Sequence, residues 1–291
     1  MKKKIELLLC LLVVGAALLG TNAAYATESG ETQTEETAAA EETTAEEETT
    51  AAAKKKKTKK GNMDKYVGLS NDYRVVATAK KKTKVYQKAS TSSKVLGSFK
   101  KNNCVILNTK SLKKGTTYKW LKIKMPNKKV GYVQKSYVKL DVLNVKNWGL
   151  STKTKKNRQR IKICSYAFPH IGTRFVMGGN SLTNGIDCST LVRRAVRSAG
   201  VYTVGASDLA ENLSNRGKAI KRSQLKPGDL VFYYNSASDH RIGHSAIYIG
   251  KGYIINSSGK QGHNYPSGGI RISKIDYRKP TAVKFRNVVG N

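Results

Sequence analysis

Cys188, His244 and Asn256 are the residues whose types and order along the chain can carry out nucleophilic chemistry. A cysteine thiol is a strong nucleophile once it loses its proton, and a nearby imidazole can accept that proton. An asparagine that hydrogen-bonds the second ring nitrogen of the histidine fixes its tautomer and orientation, as in other Cys–His–Asn enzymes. The three residues therefore predict attack on a carbonyl carbon through an acyl-enzyme.

Cys188 follows a glycine-rich loop, residues 178–185, and opens a segment with a helical pattern. Asp187 is expected to cap that helix. The positive end of a helix dipole favours a thiolate, and backbone N–H groups at the helix start, including that of Cys188, predict an oxyanion hole. One cysteine and one histidine remain a weak signal by themselves, because a lone cysteine is usually a small buried apolar residue.

The remaining cysteines and histidines predict less chemistry. His240 lies four residues before His244, a spacing that binds metal on a helix. Here the flanking residues predict a loop that enters a strand, so neither a metal nor another cofactor is expected. No disulfide is expected either. Four further residues are expected to be buried or to lie in loops: Cys104, Cys164, His170 and His263.

Four segments sharpen this hypothesis: GTRFVMGG at 172–179, GIDCS at 185–189, LKPGDLVF at 225–232 and GHSAIYIG at 243–250. In this order they resemble the NlpC family of cell-wall cysteine peptidases, over roughly residues 158–288. The resemblance implies a papain-like α+β fold. It also implies hydrolysis of peptidoglycan stem peptides, at the bond between γ-D-glutamyl and a diamino acid.

The resemblance assigns roles to individual residues. Cys188 is the nucleophile, His244 the base, and Asn256 the third polar residue, where many members have histidine. Many members have tyrosine where Phe175 stands, so a hydroxyl near the thiol must come from elsewhere. Thr190 replaces the usual glycine and is expected to crowd the helix start. The residues expected to contact substrate are Phe175, Asp187, Ser189 and Ser245.

Residues 158–291 predict one α+β domain, because helical patterns come first and strand patterns follow. Apolar periodicity predicts helices at 160–168, around 191–196 and at 207–213. Strands are predicted at 230–234, 245–249, 253–256, 270–272 and 282–286. His244 then lies at the start of a strand and Asn256 on the next one. Asp229 is expected to stabilise the turn before its strand.

Residues 72–141 predict a small all-β domain, joined to the α+β domain by a connector at 142–157. Seven short apolar clusters alternate with turn residues, which is typical of a small barrel. The order of Tyr86, SKVLG at 93–97, WLKI at 120–123 and GYV at 131–133 resembles the bacterial SH3-like wall-binding module. The resemblance implies binding rather than catalysis. Trp120 is expected in the core.

The first 71 residues predict export and a linker. Three lysines, an apolar stretch from Leu7 to Leu19 and an A-x-A motif ending at Ala26 are typical of a secretory signal peptide, residues 1–26. The stretch is shorter than the ~20 residues of a membrane-spanning helix, so no stable membrane insertion is expected after cleavage. Residues 27–71 are predicted to be a disordered linker, first rich in glutamate and then in lysine.

The net charge of +35 points to a polyanionic partner. Residues 54–291 hold 51 basic and 9 acidic residues, so most of the positive charge lies beyond the acidic part of the linker. Export argues against nucleic acid. The expected partners are peptidoglycan and anionic cell-wall polymers, and the protein is expected to be a monomer.

These features together predict a secreted, cell-wall-associated peptidoglycan endopeptidase. Two alternatives stay open. Phe175 and Thr190 motivate the first, a wall-binding protein whose catalytic domain has become inactive. The second is an amidase or acyltransferase that uses the same Cys–His pair.

Overall fold

The computed structural model describes residues 63–126 and 128–290. The predicted signal peptide and the linker up to residue 62 lie outside the described residues. The described residues belong to one compact unit. None of the helices in this part of the chain has the length and apolar character needed to cross a membrane.

Seven strands make up the N-terminal β module, which comprises residues 63–126 and 128–144. They are β1 Tyr73–Ala79, β2 Thr83–Tyr86, β3 Val95–Phe99, β4 Cys104–Ile106, β5 Trp120–Lys124, β6 Val130–Gln134 and β7 Val138–Asn144. They form two antiparallel sheets, ordered β4-β1-β7 and β3-β2-β6-β5. Each predicted apolar cluster overlaps one of these strands. The predicted connector is wrong at its start, because β7 continues to Asn144.

The predicted linker is wrong at its C-terminal end. Asp64–Tyr66 form a 3-10 helix. Met63 and Tyr66 are only 1% and 4% exposed and belong to the core cluster of the β module. Two large apolar side chains directly after the lysine run thus extend the folded region, because their burial removes apolar surface from water.

Trp120 is not a core residue, contrary to the expectation. Side chains alternate along β5, so Leu121 and Ile123 are buried while Trp120 is half-buried on the opposite face. Its ring meets that of Tyr86 edge-on at a centroid distance of 5.4 Å.

The C-terminal α+β domain contains three helices and eight strands among the described residues. They are α1 Lys155–Ala167, β8 Asn180–Ser181, β9 Gly185–Ile186, α2 Cys188–Ser198, α3 Ala210–Leu213, β10 Lys218–Ala219, β11 Leu230–Tyr234, β12 Ile242–Gly250, β13 Tyr253–Ser258, β14 Gly269–Lys274 and β15 Ala282–Asn287. Helices α1 to α3 come before the strands of an antiparallel sheet along the chain, which confirms the predicted α+β class. The predicted helix at 207–213 is shorter than expected, since it begins at Ala210.

A six-stranded antiparallel sheet, ordered β10-β15-β11-β12-β13-β14, is the centre of this domain. Helix α2 packs against β12 and β13, and α1 packs against α2 and β12. Thr154 caps α1 by accepting a hydrogen bond from the Asn157 N–H at 3.1 Å. A buried ion pair ties α1 to the turn before β11: Arg160 Nη1 lies 2.7 Å from Asp229 Oδ1.

Asp229 also performs its predicted turn role. Its other carboxylate oxygen accepts a hydrogen bond from the Lys226 N–H at 2.7 Å. Burial raises the pKa of the Asp229 carboxyl, while the Lys226 N–H and the Arg160 guanidinium oppose that shift.

The β module and the α+β domain share one core. Val76, Cys104 and Leu143 of the β module belong to the same buried cluster as the apolar faces of α1 and α2. The backbone continues this contact, because the Lys274 N–H donates to the Asn102 carbonyl at 2.7 Å. The two parts predicted as separate domains are therefore packed against each other.

Candidate active site

Helix α2 presents Cys188 at its first position, as the sequence predicts. Asp187 is the cap: its Oδ1 accepts hydrogen bonds from the Thr190 N–H at 2.7 Å and the Ser189 hydroxyl at 3.0 Å. Thr190 is buried, and its hydroxyl oxygen accepts from Arg193 Nη2 at 2.7 Å. The helix start therefore accommodates the threonine side chain that was expected to crowd it.

Strands β12 and β13 carry His244 and Asn256 on the same face of the sheet. In their register Ile247 lies opposite Ile255, so Asn256 lies opposite Ala246. His244 is two positions before Ala246, and side chains two positions apart on a strand point to the same face of the sheet. His244 is 4% exposed and Asn256 is fully buried. Because α2 packs on these two strands, Cys188 lies next to Ser245, which directly follows His244, and the Ser245 N–H favours the thiolate.

Tyr277 completes this group, and the sequence analysis missed it. Its hydroxyl oxygen lies 3.0 Å from His244 Nε2 and 3.2 Å from Asn256 Oδ1. The tyrosine therefore stands between the histidine and the asparagine that was predicted to orient it. It also provides a hydroxyl in a site where Phe175 has none.

Asn256 is held from several sides. Its Oδ1 also accepts from the Ser258 hydroxyl at 2.6 Å, and its Nδ2 donates to Ser273 Oγ at 3.3 Å. Arg271 Nη2 donates to Ser258 Oγ at 2.9 Å. Since a guanidinium only donates, Ser258 directs its own proton to Asn256, which fixes the orientation of the amide.

Burial sets the protonation of Cys188 and His244. It lowers the pKa of His244 to about 3, helped by the charges of Arg278 and Arg271 and opposed by the Asn256 side chain. Burial also raises the pKa of the Cys188 thiol, although the Ser245 and Ser189 N–H groups favour the thiolate. The helix start does favour the thiolate, but desolvation outweighs this effect, and the pair rests as thiol and imidazole.

The four residues expected to contact substrate are all buried: Phe175, Asp187, Ser189 and Ser245. Asp187 and Ser189 form the helix cap described above. The Phe175 carbonyl accepts a hydrogen bond from the Gly262 N–H at 3.0 Å, which ties the loop after β13 to the site. Direct contact of these side chains with substrate stays a prediction.

The other sequence candidates lie away from this group. His240 and His263 are exposed in loops, and His170 ends a 3-10 helix, Phe168–His170, where burial lowers its pKa. Cys104 and Cys164 are buried free thiols, as expected, and burial raises the pKa of Cys104 to about 12. Of the three described cysteines, Cys188 is the least buried. Within the described part of the chain, no three His, Cys, Asp or Glu side chains cluster as metal ligands would.

Residues 172–282 match the NlpC/P60 family. This segment is an NlpC/P60 family domain. The match includes Cys188, His244, Asn256 and Tyr277, so the whole hydrogen-bonded group lies inside the NlpC/P60 domain.

Curated relatives resemble this domain over a limited stretch. A probable endopeptidase of Mycobacterium tuberculosis is 33% identical over 99 residues, which is 34% of this chain and 23% of the relative. A peptidoglycan DL-endopeptidase of Bacillus licheniformis is 38% identical over 76 residues, 26% of this chain and 16% of the relative. A gamma-DL-glutamyl hydrolase of Bacillus subtilis is 32% identical over 99 residues, with shares of 34% and 23%. The chain thus spans less than a quarter of the length of each.

Solved structures of NlpC/P60 proteins are similar to a larger part of the chain. An NlpC protein of Trichomonas vaginalis covers 75% of this chain and 74% of its own, with 14% identity and a TM-score of 0.40. An NlpC/P60 family protein of Bacillus cereus covers 76% of this chain and 64% of its own, with 19% identity and a TM-score of 0.39.

Proposed function

We propose that this protein is a peptidoglycan endopeptidase that cleaves stem peptides with Cys188 as nucleophile. The bond proposed is the one between γ-D-glutamyl and a diamino acid. The observation that carries the proposal is the hydrogen-bonded group of His244, Tyr277 and Asn256, together with the position of Cys188 next to Ser245, the residue that follows His244. The names of the relatives, which include a peptidoglycan DL-endopeptidase, support the substrate class.

The resting pair of thiol and imidazole suits general-base catalysis. As the Cys188 sulfur forms a bond to the scissile carbonyl carbon, His244 takes the thiol proton. The N–H of Cys188 at the start of α2 stabilises the oxyanion. His244 then protonates the departing amine as the C–N bond breaks. A water attacks the acyl-enzyme and gives one proton to His244, which returns it to the sulfur as the thiol leaves.

Replacement of the thiol tests the assignment. Cys188→Ala is expected to abolish the release of new amino groups from purified cell wall, because no other described thiol lies in the site. Cys104→Ala is the matched control, since it removes a buried thiol of the β module that contacts Thr78. Mass spectrometry of the muropeptides identifies the bond, and products of an amidase or an acyl transfer would replace the proposal by the alternative chemistry. Full activity of Cys188→Ala would exclude a thiol mechanism.

We further propose that the β module is an SH3-like wall-binding domain of an exported protein. A groove of ≈ 760 Å³ opens on its surface, beside the half-buried Trp120. Four lysines lie along it, and no acidic residue does: Lys65, Lys80, Lys119 and Lys135. Aromatic rings and ammonium groups together suit glycans and anionic wall polymers.

One observation favours an inactive wall-binding protein as the second candidate. Burial raises the pKa of the Cys188 thiol, so the sulfur is a poor nucleophile until a base removes its proton. A single-turnover digestion of purified wall distinguishes the two candidates. The enzyme forms a thioester between Cys188 and the stem peptide, whereas the inactive protein binds the wall without forming that bond.

A further inference from the structure

A chain of hydrogen bonds leads from the catalytic histidine out of the NlpC/P60 domain and into the β module. Beyond Tyr277 and Asn256 it continues through Ser273 on β14. Asn256 Nδ2 donates to Ser273 Oγ at 3.3 Å, and the Ser273 hydroxyl donates to Asn103 Oδ1 at 2.7 Å. Asn103 precedes β4 and belongs to the β module.

The chain has one direction along its whole length. Asn256 Oδ1 only accepts, so the single proton of the Tyr277 hydroxyl points to it. The Tyr277 oxygen must then accept from His244, whose Nε2 lies 3.0 Å away. The neutral imidazole therefore carries its proton on Nε2, which leaves Nδ1 unprotonated to take the proton of the thiol.

The far end of the chain is buried and hydrogen-bonded to its surroundings. The Asn103 carbonyl accepts from the Ala79 N–H at 2.9 Å, and its own N–H donates to the Lys100 carbonyl at 3.1 Å. Asn103 and Ser273 also form a backbone bridge. Asn103 is 2% exposed, and Ser273 and Asn256 are fully buried. Water cannot replace the Asn103 oxygen, so its loss leaves the Ser273 proton without its acceptor.

We propose that the β module is a positioning element of the active site, and that Asn103 is its positioning residue. Asn103 accepts the Ser273 proton and, together with Ser258, supports the direction of the hydrogen-bond chain, and the chain holds His244 in the Nε2-protonated tautomer. The kinetic part of this inference rests on the proposed peptidase function, whereas the tautomer does not depend on it.

The tautomer of His244 is the first measurement, made on the full chain. The chain has four histidines, so 15N-histidine labelling gives few signals, and His244→Gln assigns the one of interest. The wild type is expected to show a protonated Nε2 and an unprotonated Nδ1. Asn103→Ala is expected to show a mixture of both tautomers, and Asn103→Asp, which keeps an acceptor oxygen there, is expected to restore the single form.

The matched control is Thr78→Val, a nearly isosteric change in the same module. Thr78 makes a buried hydrogen bond to the Tyr253 hydroxyl at 3.3 Å across the same interface, but it has no link to His244. It is expected to leave the tautomer unchanged. Thermal unfolding of each variant shows whether it is folded, and Ser273→Ala tests the same link if Asn103→Ala does not fold.

The second measurement is the hydrolysis of cell wall. Asn103→Ala is expected to lower kcat between about twofold and thirtyfold, the range of couplings through packed networks. KM is expected to stay within about twofold, because substrate contacts are unchanged. Thr78→Val is expected to keep the wild-type kcat.

Two results would overturn the inference: a wild type protonated on Nδ1, or Asn103→Ala and Ser273→Ala variants that keep the single Nε2 tautomer with an unchanged kcat. A wild type without hydrolytic activity would instead overturn the proposed function. In that case the NMR comparison still decides whether the β module orients His244.

Discussion

The contribution of His244 to the loss of folding stability at acid pH follows from its burial in the structure. Burial lowers the pKa of His244 to about 3 from the ordinary value of 6.5. The unfolded chain therefore binds a proton between these two pH values that the folded protein excludes. The stability that comes from keeping the imidazole neutral is fully present above pH 6.5 and is lost as the pH falls toward 3.

The magnitude follows from one pKa unit being worth about 1.36 kcal/mol. A pH of 5 is 1.5 units below the pKa of 6.5 that the histidine has in the unfolded chain. The free energy of unfolding is therefore about 2 kcal/mol lower at pH 5 than at pH 7.5. His244→Gln removes the titration, while the Gln Nε2 keeps a donor for Tyr277.

The assay is urea unfolding of the wild type and His244→Gln at both pH values. All other titrating groups are common to the two proteins, so their contributions cancel in the double difference. The wild type is expected to lose about 2 kcal/mol more than the variant between pH 7.5 and 5. Equal losses would show that folding leaves the pKa of His244 near its ordinary value.

Three further predictions concern stability, reactivity and binding. Asp229→Ala leaves the buried Arg160 without its ion-pair partner and should lower the free energy of unfolding in urea by about 3–5 kcal/mol. Asp72→Ala, which breaks an exposed ion pair, should lower it by less than about 1 kcal/mol, and equal losses in the two variants would contradict this prediction. Iodoacetamide should modify Cys188 slowly at pH 7 and faster above pH 9, as measured by mass spectrometry, and rapid modification at pH 6 would show a resting thiolate. Trp120→Ala should weaken sedimentation with purified wall severalfold, whereas Tyr73→Ala, outside the groove, should not.

The positions of Cys188, His244 and Asn256 in the fold were predictable because their signals are local. Asp187 is a capping residue type directly before a helical pattern, and the structure uses it so. His244 and Asn256 lie on two consecutive apolar strands, and consecutive antiparallel strands usually pair, which brings their side chains together.

Tyr277 was not predictable, because its place depends on tertiary structure. It follows β14 in a polar segment without periodicity, so the sequence carries no sign that its hydroxyl reaches His244. The raised pKa of Cys188 was not predictable for a related reason: the sequence shows where the helix begins, but not how deeply the thiol is buried.

The predicted burial of Trp120 and the predicted linker position of Met63 are wrong for two different reasons. A period of two along WLKIK already separates Trp120 from Leu121 and Ile123, and the alternation was a better guide than the size of the ring. Met63 follows a lysine run whose composition is typical of a linker, and a single apolar residue does not change that composition.

The core that joins the β module to the NlpC/P60 domain limits how the protein can be re-engineered. Removing the β module would uncover the apolar surface beneath Val76, Cys104 and Leu143, and uncovered apolar surface of this kind promotes aggregation. A chimera that exchanges only the N-terminal half would need matching side chains at these three positions. The β module and the NlpC/P60 domain must therefore be transplanted together.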